Sequence, residues 1–251
     1  MHKRIGETNT NNKGVKMEII EYNNANNIIV LFEDGCKLKT KYCHFKSGRI
    51  KSLHEPIIAN KGYIGQGKYT PTIDGKITRA YQTWSNMIKR CYDERFHDKK
   101  HRVYVDCEVC EEWHNFQNFA EWFHHNYYEI FGEMMALDKD ILVKGNKIYS
   151  PETCVYTPQK INTLFTRNNS NRGDCPIGVH YVKERNKYSA RCTTLENKRK
   201  ELGHYETKEE AFIAYKRFKE NVIKDVANEY MGEIPLKLYY AMMTYEVEIT
   251  D

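Results

Sequence analysis

Between Ile177 and Tyr230 the spacing of apolar residues changes once, from strand-like to helix-like, and this limits the segment to one small architecture. Gly178-Val179-His180-Tyr181 opens a strand, and Lys187-Tyr188-Ser189-Ala190-Arg191-Cys192 makes a second after a turn at Arg185-Asn186. Lys198 to Tyr205 makes a third. Thr207 then stands where a helix cap belongs, with Glu209 and Glu210 in the first turn, where the helix dipole favours acids. Ala211, Phe212, Ala214, Tyr215 and Phe218 recur at helical spacing and supply one apolar face. A three-stranded sheet buries one face on such a helix and leaves the other open. Alternation puts Arg191 and Arg199 on one side. A twisted sheet of this size can enter a major groove, where arginine reads guanine through two hydrogen bonds and lysine holds phosphate.

The rest of the chain breaks into short elements as well. Its 251 residues are 40% hydrophobic and 29% charged, a composition that suits several small cores better than one large one. Val15–Glu21, Asn27–Phe32 and Cys36–Cys43 read as three strands, with turns at Asn23–Asn26 and Glu33–Gly35. Poor alternation in Ile28–Phe32 predicts a strand buried on both faces. Three strands in so few residues suggest a small, strongly bent, Tudor-like barrel with a docking role. Residues 56–78, rich in Gly, Pro, Lys and Thr, read as a linker or extended arm. Tyr81–Tyr92 carries Trp84, Met87, Ile88 and Cys91 on one helical face, and Trp113, Phe116, Phe119, Ala120 and Phe123 repeat the pattern in a second helix. Leu137 to Phe165 reads as a compact, turn-rich unit, and a short helix is expected near Leu236–Tyr245 after Pro235.

No apolar run approaches the roughly 20 residues that span a bilayer, and Met1–Gly14 is polar and Asn-rich. The expectation is a cytoplasmic protein without membrane partners, in the host cytoplasm if phage-encoded. The net charge of +5 suits a phosphate-bearing partner without requiring one. Lys37 to Lys68 concentrates positive charge against Glu55 alone, which fits either a basic contact or a solvated surface. Nineteen tyrosines could stack on bases or pack in cores, so RNA binding stands beside DNA binding as an expectation.

Two resemblances sharpen this reading. The Gly178-Val179 opening, Lys187-Tyr188-x-Ala190, Leu202-Gly203-x-Tyr205-x-Thr207 and Glu209-Glu210-Ala211-x-x-Ala214-Tyr215 together resemble the ethylene-response-factor type DNA-binding domain, which is also found fused to phage and homing endonucleases. The resemblance implies DNA contacts at His180, Arg185, Lys187, Arg191 and Arg199. His180 takes a slot usually held by arginine, and Glu201 one where an aromatic is common. Further upstream, Tyr81, Trp84, Met87, Arg90, Cys91 and Tyr92 are followed by Tyr104, and then by Val109, Cys110, Trp113, Phe116 and Phe119. Leu137-Asp138-Lys139-Asp140, Tyr149–Cys154 and Asn162 complete a pattern similar to phage and prophage proteins classed with the HNH (His-Me finger) endonucleases.

An HNH site needs a histidine base and a divalent metal on the scissile phosphate. The resemblance puts Asp138, Lys139 and Asn162 at the catalytic positions, with Asp138 and Asn162 holding Mg2+ or Mn2+. Lys139 stands where histidine is expected, and Thr153 where the middle asparagine is, with Asn146 nearby. His114, His124 and His125 are alternative imidazoles. Leu137 is expected to be buried, and Thr157 to cap a helix with Pro158 in its first turn. Cys107-x-x-Cys110 with Cys91 and Cys154 could place four thiolates around Zn2+, or all four could be buried thiols.

The resulting expectation is an α+β chain: a small N-terminal β-barrel (1–55), a linker (56–78), a degenerate HNH-like ββα unit with helices (79–170), and a C-terminal three-stranded antiparallel sheet plus helix (171–251). It would bind double-stranded DNA, as a homing-type endonuclease or a degenerate descendant of one. The alternative is a non-catalytic factor that occupies DNA or a host protein to block a defence or regulatory complex.

Overall fold

The computed structural model describes residues 4–96, 106–166, 174–194 and 198–249; Tyr104 lies outside them. The chain divides into two compact units, Met1–His125 with Ile148–Ser150, and Asn126–Lys147 with Pro151–Asp251. The two aromatic helices therefore belong to the first unit, and the Asp138 segment to the second.

In the first unit, β1 (Thr8–Thr10), β2 (Lys16–Asn24), β3 (Asn27–Phe32) and β4 (Lys37–Thr40) form an antiparallel sheet in sequence order. This corrects the expected barrel: β1 and β4 are the two edges and do not pair. Short edges of three and four residues cannot wrap round to meet. The core is closed instead by α1 (Tyr42–Lys46), whose buried Phe45 joins Met17, Ile19, Ile28, Val30, Phe32, Cys36 and Ile50. The expected Cys36–Cys43 strand is thus a four-residue strand followed by a helical turn. In β3, Ile28, Val30 and Phe32 are buried while Ile29 and Leu31 are half-covered, so burial on both faces was also an incorrect expectation. The Asp34-Gly35 turn does form, with Asp34 Oδ1 accepting from the Cys36 amide at 2.9 Å. Lys37 and Lys39 face solvent on edge strand β4, where charge discourages pairing with another chain.

Residues 56–78 are tied into the first unit. The Gln117 side chain accepts from the Tyr69 amide and donates to the Tyr69 carbonyl, both at 2.9 Å. Gly65, at φ +71°, lies so close to Asn115 that an added Cβ would come within 2.0 Å of its oxygen. A hairpin of β5 (Thr72–Ile73) and β6 (Lys76–Ile77) follows. Thr78 caps α2 (Arg79–Tyr92), accepting from the Tyr81 amide. That helix buries Trp84, Met87, Ile88 and Cys91, and Trp84 Nε1 donates to the Trp113 carbonyl at 2.7 Å. β7 (Glu108–Val109) runs parallel to β9 (Ile148–Tyr149). Trp113 sits in a 3-10 turn, Glu111–His114, and α3 begins only at Phe116 and runs to Asn126.

In the second unit, β8 (Met135–Asp138) pairs antiparallel with β10 (Val155–Pro158), and α4 (Gln159–Phe165) follows directly. Thr157 does not cap α4. It is the last but one residue of β10, fully buried, and Pro158 takes the cap position without a side-chain bond. Leu137, expected to be buried, is only half-buried, and Lys139 is buried. The segment turns sharply after β8, which brings Lys139 inward.

β11 (Val179–Val182), β12 (Lys187–Thr193) and β13 (Arg199–Tyr205) form an antiparallel sheet with β12 central. The 22-residue α5 (Lys208–Glu229) begins with a capping box between Thr207 and Glu210. α6 (Leu236–Met243) follows Pro235. α5 serves two cores. Its first turns place Ala211, Phe212 and Tyr215 against Val179, Ala190 and Cys192 of the sheet. Its last turns place Ile223, Val226, Ala227 and Tyr230 with Val155, Ile161 and Leu164 of the β10–α4 segment. At 1.5 Å per residue the helix is a strut of about 33 Å that joins the two. No helix among the described residues is long and apolar enough to cross a membrane.

Candidate nucleic-acid interface

The strand register fixes which side chains share the open face of the C-terminal sheet. Val179 pairs with Ala190, and both lie in the core with Phe212 and Tyr215. The alternate row, His180–Ser189–His204, therefore lies on the opposite face. Val182 pairs with Lys187 on that same face. A bulge then interrupts the pairing of β12 and β13: Ala190 opposes Gly203, but Arg191 opposes Glu201. Leu202 is the extra residue, packed toward the core, and Gly203 accommodates the distortion at φ +136°. Unbroken alternation from His204 would put Leu202 and Lys200 on the open face. The bulge puts Glu201 and Arg199 there instead, beside Arg191 and Thr193.

Four of the five expected DNA-contacting residues, His180, Lys187, Arg191 and Arg199, thus share one face. Arg185 reaches it from the turn that ends at left-handed Asn186, φ +50°. Its guanidinium lies 3.3 Å from His204 Nε2. Lys187 Nζ is paired with Glu206 at 2.7 Å. In the middle of these cations sits a carboxylate. Glu201 Oε1 accepts from Ser189 Oγ at 3.3 Å and lies 3.1 Å from His204 Nε2. His180 Nε2 is buried without a hydrogen bond. Burial, then the neighbouring Arg191 charge, holds the His180 imidazole below its ordinary pKa. Ser189, Glu201 and His204 were not among the expected contacts. Glu201 faces outward because of the register shift at Leu202-Gly203, which depends on the partner strand and leaves no signal in the sequence alone.

The nuclease-like positions are built differently. Asp138 ends β8, and its Oδ1 accepts from the Asp140 and Ile141 amides, each at 2.8 Å, closing the turn. Burial, then the Asp140 charge, raises the Asp138 carboxyl to about 6. Lys139 Nζ lies 3.3 Å from Asp140 Oδ2, and the Lys139 carbonyl accepts from Asn146 Nδ2 at 2.7 Å. Asn162 lies one turn into α4 and shares no hydrogen bond with Asp138. His114, His124 and His125 belong to the first unit. His114 Nε2 lies 3.3 Å from the Tyr92 hydroxyl, His124 stacks on Tyr69, and His125 Nδ1 lies 2.8 Å from the Glu121 carbonyl. Burial, then the Lys61 charge, lowers the His114 pKa.

Cys91 and Cys107 are buried and Cys110 half-buried in the first unit, whereas buried Cys154 belongs to the second. Among the described residues no group of three or more His, Cys, Asp or Glu side chains is arranged to hold a metal ion. Asp138 Oδ1 already accepts from two backbone amides, and Asn162 lies on a separate element, α4. A scan against protein-family models, a search of curated proteins and a search of solved structures each found no match to this chain.

Proposed function

We propose that this protein binds double-stranded DNA through the open face of its C-terminal sheet, as a phage or mobile-element protein related to HNH homing endonucleases. One observation carries the reading: His180, Lys187, Arg191 and Arg199 share a face whose reverse side packs on α5 through Val179, Ala190 and Cys192. A rigid sheet backed by a helix can present arginines to base edges, while lysine and the Arg185 turn hold the phosphate backbone. The α5 strut would then carry the Asp138 segment at a fixed offset along the duplex.

In this reading the Asp138 segment binds rather than cuts. Its carboxylate is used to close a turn, and the buried Lys139 replaces the imidazole that would activate water. Lys139 is held beside Asp140, which occupies its ammonium group. The test has two arms. Titration of a mixed-sequence duplex should give binding that weakens steeply with salt, because neutralised phosphates release counterions. Incubation with supercoiled plasmid and Mg2+ or Mn2+ should leave the plasmid intact. Absence of duplex binding would overturn the proposal. Metal-dependent nicking that disappears in Asp138→Ala would overturn its non-catalytic half and establish an active nuclease.

A further inference from the structure

A carboxylate at the centre of a cationic face is costly if that face meets only phosphates. Glu201 occupies such a position. Arg191 is its direct partner across the sheet, Arg199 is two residues along the same strand, and His180 and His204 flank it. It is not consumed by an ion pair with either arginine. Its Oε1 is fixed by Ser189 Oγ at 3.3 Å and by His204 at 3.1 Å, and Ser189 is itself completely buried. The Glu201 side chain remains 46% exposed. The bulge at Leu202-Gly203 is what turns it outward, since simple alternation would bury it. The carboxylate is therefore aimed by a built set of contacts, with Oε2 left for an outside donor.

We infer that Glu201 is a specificity-determining residue that reads the amino group of cytosine; this rests on the duplex-binding reading above. A carboxylate only accepts hydrogen bonds. Of the groups on the major-groove edge, guanine N7 and O6 and thymine O4 are acceptors and repel it. Adenine N6 donates, but adjacent N7 is another acceptor. Cytosine N4 donates with no acceptor beside it on that edge, so it is the favourable partner. Arg191, opposite Glu201 in register, has the complementary preference for guanine. The two side chains together would recognise the two strands of one neighbourhood, one through acceptors and the other through a donor.

The experiment is a selection from duplexes with a randomised core, using the full chain and its Glu201→Ala and Glu201→Gln variants. The wild type should enrich sites with cytosine at one position. Glu201→Ala should lose that preference, with cytosine discrimination falling about 10- to 100-fold, while the guanine positions persist. Glu201→Gln should move the preference to adenine, because an amide both accepts and donates and matches adenine N6 and N7. Glu201→Gln keeps an acceptor for Ser189 and should unfold at the wild-type temperature, so the base preference of a fully folded variant decides the matter even where Glu201→Ala, which strands the buried Ser189 hydroxyl, unfolds somewhat lower. Identical enriched sites for all three proteins would overturn the role of Glu201 and leave duplex binding standing. Failure of the wild type to enrich any duplex, or capture of single-stranded RNA in its place, would overturn both.

Discussion

Gly178→Ala should destabilise the C-terminal sheet by an amount that depends on one ring. Gly178 has φ +73°, where an alanine is disfavoured by roughly 1–2 kcal/mol. Its added Cβ would stand 2.0 Å from Cδ2 and 2.4 Å from Cγ of Tyr215. Tyr215 is only 6% exposed and is held among Val179, Ala190 and Phe212, so the ring cannot swing clear. Overpacking of this kind costs about 1–3 kcal/mol. The sum is about 2–5 kcal/mol, and the Gly178 carbonyl that accepts from the Arg191 amide at 2.8 Å would shift with it. Urea denaturation read by amide exchange at Arg191 measures the loss in this sheet. The reasoning divides the cost into backbone and clash. In a Tyr215→Ala background, Gly178→Ala should therefore cost only the backbone part, about 1–2 kcal/mol. An equal cost in both backgrounds, or a cost below about 0.5 kcal/mol in the wild type, would refute it.

Asp138→Asn keeps the Oδ1 acceptor for the Asp140 and Ile141 amides and removes a buried charge. Because the Asp138 carboxyl is raised to about 6, the folded state holds its proton more tightly than the unfolded state, and stability falls as pH rises from the ordinary carboxylate range to about 6. The Asn variant should match the wild type at acid pH and exceed it above about 6, by on the order of 1–3 kcal/mol, while Asp138→Ala strands two amides and loses about 1–3 kcal/mol. A less stable Asn variant at neutral pH would contradict the structural role. His180 has the opposite sign: its lowered pKa keeps it neutral in the folded state, so stability is present above the ordinary histidine range and declines as pH falls through it. His180→Asn should flatten that decline in an acid titration of unfolding, with Arg191, Arg199, His204 and Glu201 left in place; an unchanged slope would remove His180 from the account.

The C-terminal sheet and helix were legible because several local signals agreed there. Strand spacing, the Asn186 turn, the Thr207–Glu210 cap and an apolar helix face all specified one arrangement. What the sequence did not disclose was the bulge, because a one-residue register shift depends on a partner strand. It decides that Glu201 and not Leu202 faces outward. The N-terminal barrel failed for a related reason. Strand number was read nearly correctly, but closure is a property of edges and lengths, and Phe45 of α1 fills the core where a closing strand was expected. Thr157-Pro158 resembled a helix start, yet tertiary pairing with Met135 and Ala136 draws both residues into β10. Residues 56–78 looked like a linker because they are rich in Gly, Pro, Lys and Thr. Their glycines instead permit close approach to Trp84, Asn115 and Gln117. At Asp138 the residue type was legible but its use was not: an aspartate that closes a turn through Oδ1 reads the same in sequence as one that holds a metal.

The central claim is that the open face of the C-terminal sheet grips duplex DNA. The most direct measurement is the affinity of the full chain for a duplex at fixed moderate salt, compared with the Arg191→Ala/Arg199→Ala double variant. Both side chains lie on the face away from the α5 core, so the fold should survive their loss. The account predicts weaker binding by about 1–3 kcal/mol for each lost base contact. Equal affinity for the two proteins, with folding intact, would contradict it.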